Sequence, residues 1–179
     1  LDIIYILDAP RWSESWVKAM EVAEPVVFVA SPAFWAQKYA ECEKNGTVKW
    51  STKTVGQEEI SVRQITLDQI LQEPFFLTEK HANYRQALDQ HLASCRCCLS
   101  PVLEISDTAF IIQMLEQSRG LSFLPLFAVQ KQIWEGTLAA VEVDDVEISM
   151  YRQIFYHKNK FRTREMEQFI IFASEEENH

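Results

Sequence analysis

One stretch, EISDTAFIIQMLEQSRGLSFLP at residues 104–125, contains the pattern of a strand, a capped helix, a glycine stop and a second strand. Ser106 and Asp107 offer side-chain oxygens that suit the N-terminus of a helix, and the apolar residues after them recur at helical spacing. Gly120 favours the end of that helix because glycine tolerates the left-handed conformation, and Pro125 closes the apolar run that follows. Two strands joined by one helix predict neighbouring parallel strands with a right-handed crossover.

The same alternation of strand and helix patterns extends on both sides of this unit. The resulting βαβαβαβ order predicts an α/β protein with an open, mostly parallel sheet and helices on both faces. The predicted strands cover residues 3–7, 26–30, 75–77, 99–105, 121–124, 138–143 and 150–157. The predicted helices cover residues 34–42, 66–71, 83–93, 107–119, 126–135 and 163–172, with Thr66 and Gly136 at helix ends.

Residues 45–63 differ from the rest because they are polar, lean towards strand and have little periodicity. This pattern predicts a hairpin or an excursion on the surface. A decorated surface loop is a better interpretation than a dedicated site, since such segments usually lie on the surface.

Charge and hydropathy exclude several classes of protein. Seventeen basic against twenty-six acidic residues give a net charge of −9, so these residues alone are not expected to bind DNA or anionic lipid well. The sequence has no eighteen-residue apolar run and no basic-then-apolar leader, so we expect a cytoplasmic protein without a membrane segment. The chain starts inside an apolar run without Met, and we therefore interpret it as a fragment.

Three of the four cysteines are bunched at Cys95, Cys97 and Cys98, close to His91. Thiolate and imidazole are zinc ligands, so a metal or redox site is one hypothesis. The absence of paired C-x₂-C elements, and the adjacent positions of Cys97 and Cys98, favour small buried thiols instead. We predict reduced cysteines and no metal.

Catalytic motifs are absent from the sequence. It contains no nucleophile elbow, no glycine-rich phosphate loop and no metal-binding helix motif, and there are four glycines in the whole chain. We therefore predict a protein that is not an enzyme and needs no cofactor.

Several motifs taken together resemble the effector-binding region of LysR-type transcriptional regulators. The most specific are the spaced pattern E-I-x-x-T-x-x-I-x-x-M-L-E-x-x-x-G-L-S-F-L-P with A-V and E-G-x-L downstream, and F-Y-H-K-x-K followed by M-x-x-F-I. The order and spacing of these pieces carry the resemblance, which covers most of the chain.

The resemblance implies two α/β lobes of the type-II periplasmic-binding-protein kind, joined by two crossover segments with an effector cleft between them. Residues 65–146 are expected to form lobe II, and residues 1–64 and 147–179 a partial lobe I. The family's N-terminal helix-turn-helix and the first βαβα of lobe I have no counterpart here, so one wall of the cleft is expected to be incomplete.

Candidate effector ligands follow from the strand ends that the resemblance places at the cleft, because helix N-termini there present unpaired N–H groups. Thr78 and Thr108 are expected to hydrogen-bond a ligand, and Lys80 or His81 to neutralise a carboxylate. Capping a helix is an equal alternative for Asp107 and also an alternative for Thr78. The full candidate set is Thr78, Lys80, His81, Asn83, Asp107, Thr108, Ser31, Pro32 and Asp8, with Ser31 favoured among those from lobe I.

The sequence thus predicts a domain that senses a small molecule, with a slight preference for a carboxylate, and controls transcription through a separate helix-turn-helix domain. It is expected to act in a homo-oligomer. Two rival hypotheses are a solute-binding protein of a transport system and a relative with the same fold that catalyses a reaction in the cleft. The identity of the effector is beyond the sequence.

Overall fold

The computed structural model describes residues 3–11, 13–44, 49–55, 58–144, 146 and 148–175. Strands and helices alternate through most of this part of the chain, which confirms the predicted α/β class. The elements are β1 (Ile3–Asp8), β2 (Trp16–Ala30), α1 (Pro32–Lys44), β3 (Lys49–Val55), β4 (Glu58–Thr66), α2 (Leu67–Ile70), β5 (Phe76–Leu77), α3 (Asn83–Ser94), β6 (Leu103–Glu104), α4 (Thr108–Glu116), β7 (Leu121–Pro125), α5 (Leu126–Trp134), β8 (Ala139–Asp144), β9 (Ser149–His157) and α6 (Arg164–Glu175).

Strand β2 is fifteen residues long and belongs to two groups of strands. Its first part, Trp16–Pro25, pairs antiparallel with β9, and β9 pairs on its other side with β1. Its last part, Val26–Ala30, pairs antiparallel with β7, and Phe28–Ala30 also pairs antiparallel with β8. The sequence predicted a strand only over the last part, because the polar residues before it obscure the pattern.

The second group of strands is the larger. A parallel bridge between Phe75 and Leu121 connects the β5–β6 pair to β7, so the strands lie in the order β6, β5, β7, β2, β8, β4, β3. The prediction that β6 and β7 are neighbours is wrong, since β5 lies between them. The crossovers through α3 and α4 run in opposite directions along the sheet, which places these two helices on opposite faces.

The pairing is mixed rather than mostly parallel. Strand β2 runs antiparallel to the strands on both sides of it, and β1 and β9 are antiparallel as well. The predicted hairpin in residues 45–63 is confirmed, because β3 and β4 pair antiparallel, and Arg63–Thr66 joins the sheet beside β8. Residues 45–48 and 56–57 of that segment lie outside the described residues.

Each face of the larger sheet has its own apolar core. Helices α1, α2 and α3 cover one face, where Phe28, Trp35, Phe75 and Leu88 are almost completely buried. Helices α4 and α5 cover the other face through a cluster that includes Ile111, Leu115 and Val129. A smaller cluster under α6 contains Met20, Ile154 and Ile170.

These contacts divide the chain at a different point from the predicted boundary at residue 64. Residues 26–39 and 63–64, expected in lobe I, pair or pack with the elements of lobe II. We propose that lobe I comprises residues 3–25 and 148–175, that lobe II comprises residues 26–146, and that the chain crosses between them at Pro25 and again at Val146.

The two glycines that the sequence placed at helix ends have different roles. Gly136 has a φ of +74° after α5, as predicted for a helix stop. Gly120 does not take that conformation, and Ser118, with a φ of 59°, turns the chain after α4 instead. An added Cβ on Gly120 would lie 2.1 Å from the Pro74 carbonyl oxygen, so glycine is required there by close packing of two backbone segments.

Candidate functional site

The first turn of α3 meets the end of β1 where the two lobes face each other. The Asn83 side chain donates a 2.8 Å hydrogen bond from Nδ2 to the carbonyl oxygen of Leu7. Strand β5 ends at Leu77, so Thr78 lies at the same end of lobe II, and Asp8 follows Leu7 directly. The structure therefore brings together three of the predicted residues, Asp8, Thr78 and Asn83.

Thr78 is buried beneath the start of α3, with 4% of its surface exposed. Its Oγ1 has no hydrogen bond of normal geometry. Burial raises the pKa of the Tyr84 hydroxyl, and the nearby Thr78 side chain partly offsets that rise. The two hydroxyls are therefore close together, and each retains hydrogen-bonding capacity.

Arg85, which the sequence reasoning missed, holds the ends of β5 and β6. It is 2% exposed, and its Nη1 donates to the Thr78 carbonyl oxygen at 3.0 Å and to Glu104 at 3.3 Å, while its Nε bonds Asp89 at 3.0 Å. The sequence does contain a sign that Arg85 is buried. It lies next to Tyr84 and three residues before Leu88, on the apolar side of an amphipathic helix.

The loop after β1 is fixed by a second residue that the sequence did not reveal. Gln153 on β9 is fully buried, donates from Nε2 to the Ala9 carbonyl oxygen at 3.0 Å, and accepts from the Arg11 backbone N–H at 3.0 Å. Asp8 accepts from the Ala9 N–H and forms an ion pair with Arg11. The Asp8 carboxylate is therefore engaged within its own loop.

Lys80 and His81 are exposed in the turn between Glu79 and Ala82, at the rim of this region. Asp107 caps α4, because its Oδ1 accepts from the Phe110 N–H at 3.1 Å. Of the two interpretations that the sequence left open for Asp107, capping is the one that the structure shows. Thr108 is the half-buried first residue of α4.

Ser31 and Pro32 do not lie with the other candidates. Ala30 pairs with Leu121 at the start of β7, whereas Val26 pairs with Pro125 at its end. Because β2 runs antiparallel to β7, Ser31 follows it at the far end of the sheet, and its predicted placement at the cleft is wrong. Its Oγ instead accepts from the Phe34 N–H at the start of α1 and bonds the Ser118 hydroxyl at 2.8 Å.

A cavity of about 280 Å³ lies where the chain crosses between the lobes. Its walls come from the two crossing segments and from β7 and β8, and none of the predicted site residues lines it. Glu142 and Ser149 are the polar side chains in a lining that is otherwise Pro25, Val26, Val27, Phe28, Phe123, Val141, Val143, Val146 and Ile148.

The cysteine cluster lies at the end of α3, away from this region. Cys95 and Cys98 are exposed free thiols, and Cys97 packs partly buried against the core of lobe II. The Cys95 Sγ lies 3.8 Å from the His91 Nε2. Within the described ranges, no three His, Cys, Asp or Glu side chains are grouped as metal ligands would be. In the same part of the chain, no helix has the length and apolar character needed to cross a membrane.

Comparison with known proteins identifies the family. A family model described as the LysR substrate binding domain matches residues 58–177, which is two thirds of the chain. The chain belongs to the LysR substrate-binding domain family. The resemblance drawn from its motifs is confirmed, and so is the expected relation to the periplasmic-binding-protein-like fold.

A similar curated protein is the HTH-type transcriptional activator CmpR of Synechocystis, which is 24% identical over 119 residues. That match covers 65% of this chain and 39% of CmpR, so this chain spans well under half the length of that relative.

Solved structures of regulatory domains share the fold. The Synechocystis CcmR regulatory domain in complex with 2-PG superimposes with a TM-score of 0.67 at 15% identity, covering 99% of this chain and 74% of that one. The effector binding domain of QuiR in complex with shikimate gives a TM-score of 0.64 at 10% identity, covering 96% of this chain and 69% of that one.

Proposed function

We propose that this LysR substrate-binding domain binds a small metabolite between its lobes and thereby controls a transcription factor of which it forms part. DNA contact is assigned to a helix-turn-helix domain outside this chain, within a cytoplasmic homo-oligomer. The regulator CmpR and the two ligand-bound regulatory domains support this function over that of a transport protein.

One observation carries the position of the ligand. Three helices, α3, α4 and α5, begin after parallel strands at the end of lobe II that faces lobe I. The protein's own carboxylates bind two of these N-termini, since Asp107 accepts from Phe110 N–H and Glu24 accepts from Phe127 N–H. The first residue before α3 is Ala82, which provides no side-chain cap. An anionic group of the ligand is therefore directed to the start of α3.

The side chains around this N-terminus fit a carboxylate-bearing metabolite with a further polar group. The Thr78 and Tyr84 hydroxyls supply neutral hydrogen bonds below the helix, and Lys80 or His81 supplies positive charge at the rim. The loop at Asp8, which Asn83 contacts through the Leu7 carbonyl oxygen, forms the opposite side. Glu79 in the same turn opposes a second negative charge on the ligand.

The proposed response is a population shift without chemistry. A ligand that contacts both α3 and the loop after β1 favours the arrangement in which these segments are close. The shift is limited by the difference between the ligand's affinities for the two arrangements of the lobes. We assign no catalytic step to the cleft, and chromatographic recovery of the bound ligand without turnover would agree with that assignment.

The test is a thermal-shift screen of small carboxylates on the wild-type chain and on Thr78→Val. Valine keeps the shape of threonine but removes the hydroxyl. Since Oγ1 has no hydrogen bond of normal geometry within the protein, the variant is expected to melt close to the wild-type temperature. Its ligand-induced shift is expected to fall, because one hydrogen bond to the ligand is lost.

Thr78→Ser is the matched control, because it retains the hydroxyl and should retain most of the shift. Equal ligand shifts in wild type and Thr78→Val would place the ligand elsewhere. The cavity at the crossing segments would then be the next region to test.

A further inference from the structure

Glu24 is a buried carboxylate at the junction of the two lobes. It is 5% exposed and is the last residue of β2 before Pro25, where pairing changes from β9 to β7. Its Oε1 accepts from the Phe127 backbone N–H in α5 at 3.2 Å, and its Oε2 contacts the Nε of Arg152 on β9 at 2.8 Å. One carboxylate thus contacts both lobes.

The two partners of Glu24, Arg152 and Phe127, also contact each other. The guanidinium carbon of Arg152 lies 5.9 Å from the centre of the Phe127 ring, so the arginine bridges the carboxylate and the aromatic side chain. Arg152 belongs to lobe I and Phe127 to lobe II. The charge of Glu24 is therefore balanced by a cation from one lobe and a helix N-terminus from the other.

The position of Glu24 along β2 makes these contacts sensitive to the angle between the lobes. Pro25 follows directly and has no N–H, so the strand carries one donor fewer at the point where it leaves one lobe for the other. A rotation at this point separates Arg152 from the start of α5. A buried carboxylate that loses one of its partners is strongly destabilised, so intermediate angles are disfavoured.

We propose that Glu24, with Arg152 and the N-terminus of α5, forms a latch that holds the two lobes in the arrangement seen here. Opening the cleft separates Phe127 from Arg152. While the latch is formed, a ligand needs a smaller difference between its affinities for the closed and open arrangements in order to favour the closed one. The coupling to a ligand rests on the proposed function, whereas the latch itself does not.

The test uses a variant that removes the carboxylate and a small anion that replaces it. Glu24→Ala leaves a space bounded by the Phe127 N–H and Arg152, and formate is small enough to enter it. We expect this variant to melt roughly 10 °C below wild type, because the Phe127 N–H and the partly exposed guanidinium of Arg152 both lose their contact with the carboxylate. Sodium formate is expected to recover several degrees, and the same ionic strength of sodium chloride is not.

Two further variants identify the partners. In Glu24→Ala combined with Arg152→Met, the recovery by formate should be much smaller, since the guanidinium that contacts the carboxylate in wild type is gone. Glu24→Gln keeps the side-chain volume, and the amide oxygen can still accept from Phe127, so formate should have no effect while the melting temperature falls less than in Glu24→Ala.

Small-angle scattering gives the second readout. The radius of gyration of Glu24→Ala should exceed that of wild type and return towards it in formate. An unchanged radius together with no formate recovery would overturn the latch and leave Glu24 as a packing residue. If Glu24→Ala does not fold, Arg152→Met replaces it, because that variant removes the partner from lobe I; a wild-type radius in it would overturn the latch and a larger radius would support it. Loss of the ligand shift in Thr78→Val bears only on the proposed function, so the two ideas fail separately.

Discussion

The Asn83 side chain, at the start of α3, is hydrogen-bonded to the Leu7 carbonyl oxygen at the end of β1. This bond joins residues seventy-six positions apart and connects one lobe to the other. It lies beside Thr78, in the region proposed to bind the ligand. The first residues of α3 thus contribute both to the proposed site and to the contact between lobes.

Replacing Asn83 with Ala should weaken the contact between the lobes. The Leu7 carbonyl loses its side-chain donor, and we expect the free energy of unfolding to fall by about 1 kcal/mol, measured by urea titration. Gln86→Ala, at an exposed position of the same helix, is the control and should cost less than about 0.5 kcal/mol. Equal effects of the two substitutions would contradict a specific role for Asn83.

Arg85→Met should destabilise the protein more strongly. Methionine retains the apolar stem but leaves the buried Thr78 carbonyl and the partly exposed carboxylates of Asp89 and Glu104 without the guanidinium. We expect a loss of about 2–3 kcal/mol in denaturant unfolding, since those carboxylates keep some contact with water. Arg119→Met, an exposed arginine that bonds Gln117, should change stability by less than about 0.5 kcal/mol. A similarly small effect at Arg85 would show that the arginine does not hold the strand ends.

Tyr84 should make stability depend on pH in the alkaline range. Burial raises its pKa in the folded protein above the ordinary value of 10.0, so the folded state holds this proton more tightly than the unfolded chain. The resulting stabilisation is fully present below pH 10 and is lost as the pH rises through the folded pKa. The melting temperature of wild type should therefore fall relative to that of Tyr84→Phe as the pH rises from 8 to above 10. A constant difference between them would contradict the shift.

Gly120→Ala should be more damaging than its small size suggests. The added methyl group would lie 2.1 Å from the Pro74 carbonyl oxygen and 2.9 Å from the Phe76 ring, so the backbone has to move. We expect the free energy of unfolding to fall by more than about 2 kcal/mol in denaturant titrations. Gly136→Ala should cost about 1 kcal/mol, because nothing lies within 4 Å and only the positive φ is unfavourable. A smaller cost at Gly120 than at Gly136 would contradict the close approach to Pro74.

Local chemistry explains why most elements could be predicted. The capping oxygen of Asp107, the stop at Gly136 and the helical spacing of Ile111 and Leu115 act within a few residues, and the structure has them as expected. Thr66 begins α2 as predicted, and its backbone N–H donates to the Gln69 side chain.

The site was predicted less completely than the elements. Thr78 and Asn83 were predicted as candidates because they lie between a readable strand and a readable helix, and their role in binding stays a prediction. Ser31 was misplaced because a strand end has no direction in a sequence, and only the pairing of β2 with β7 shows that it points to the far end of the sheet. Arg85, Gln153 and Glu24 were missed because each acts through partners far away along the chain.

The sequence by itself determined the α/β class, the family and the order of strands and helices, because these depend on periodicity, caps and motif spacing within short windows. Only the tertiary structure decided that β2 is shared by both lobes, that β5 lies between β6 and β7, and that Glu24 meets Arg152 and the start of α5. The physical reason is that strand partners and buried charge pairs are chosen by long-range packing, which no local pattern records.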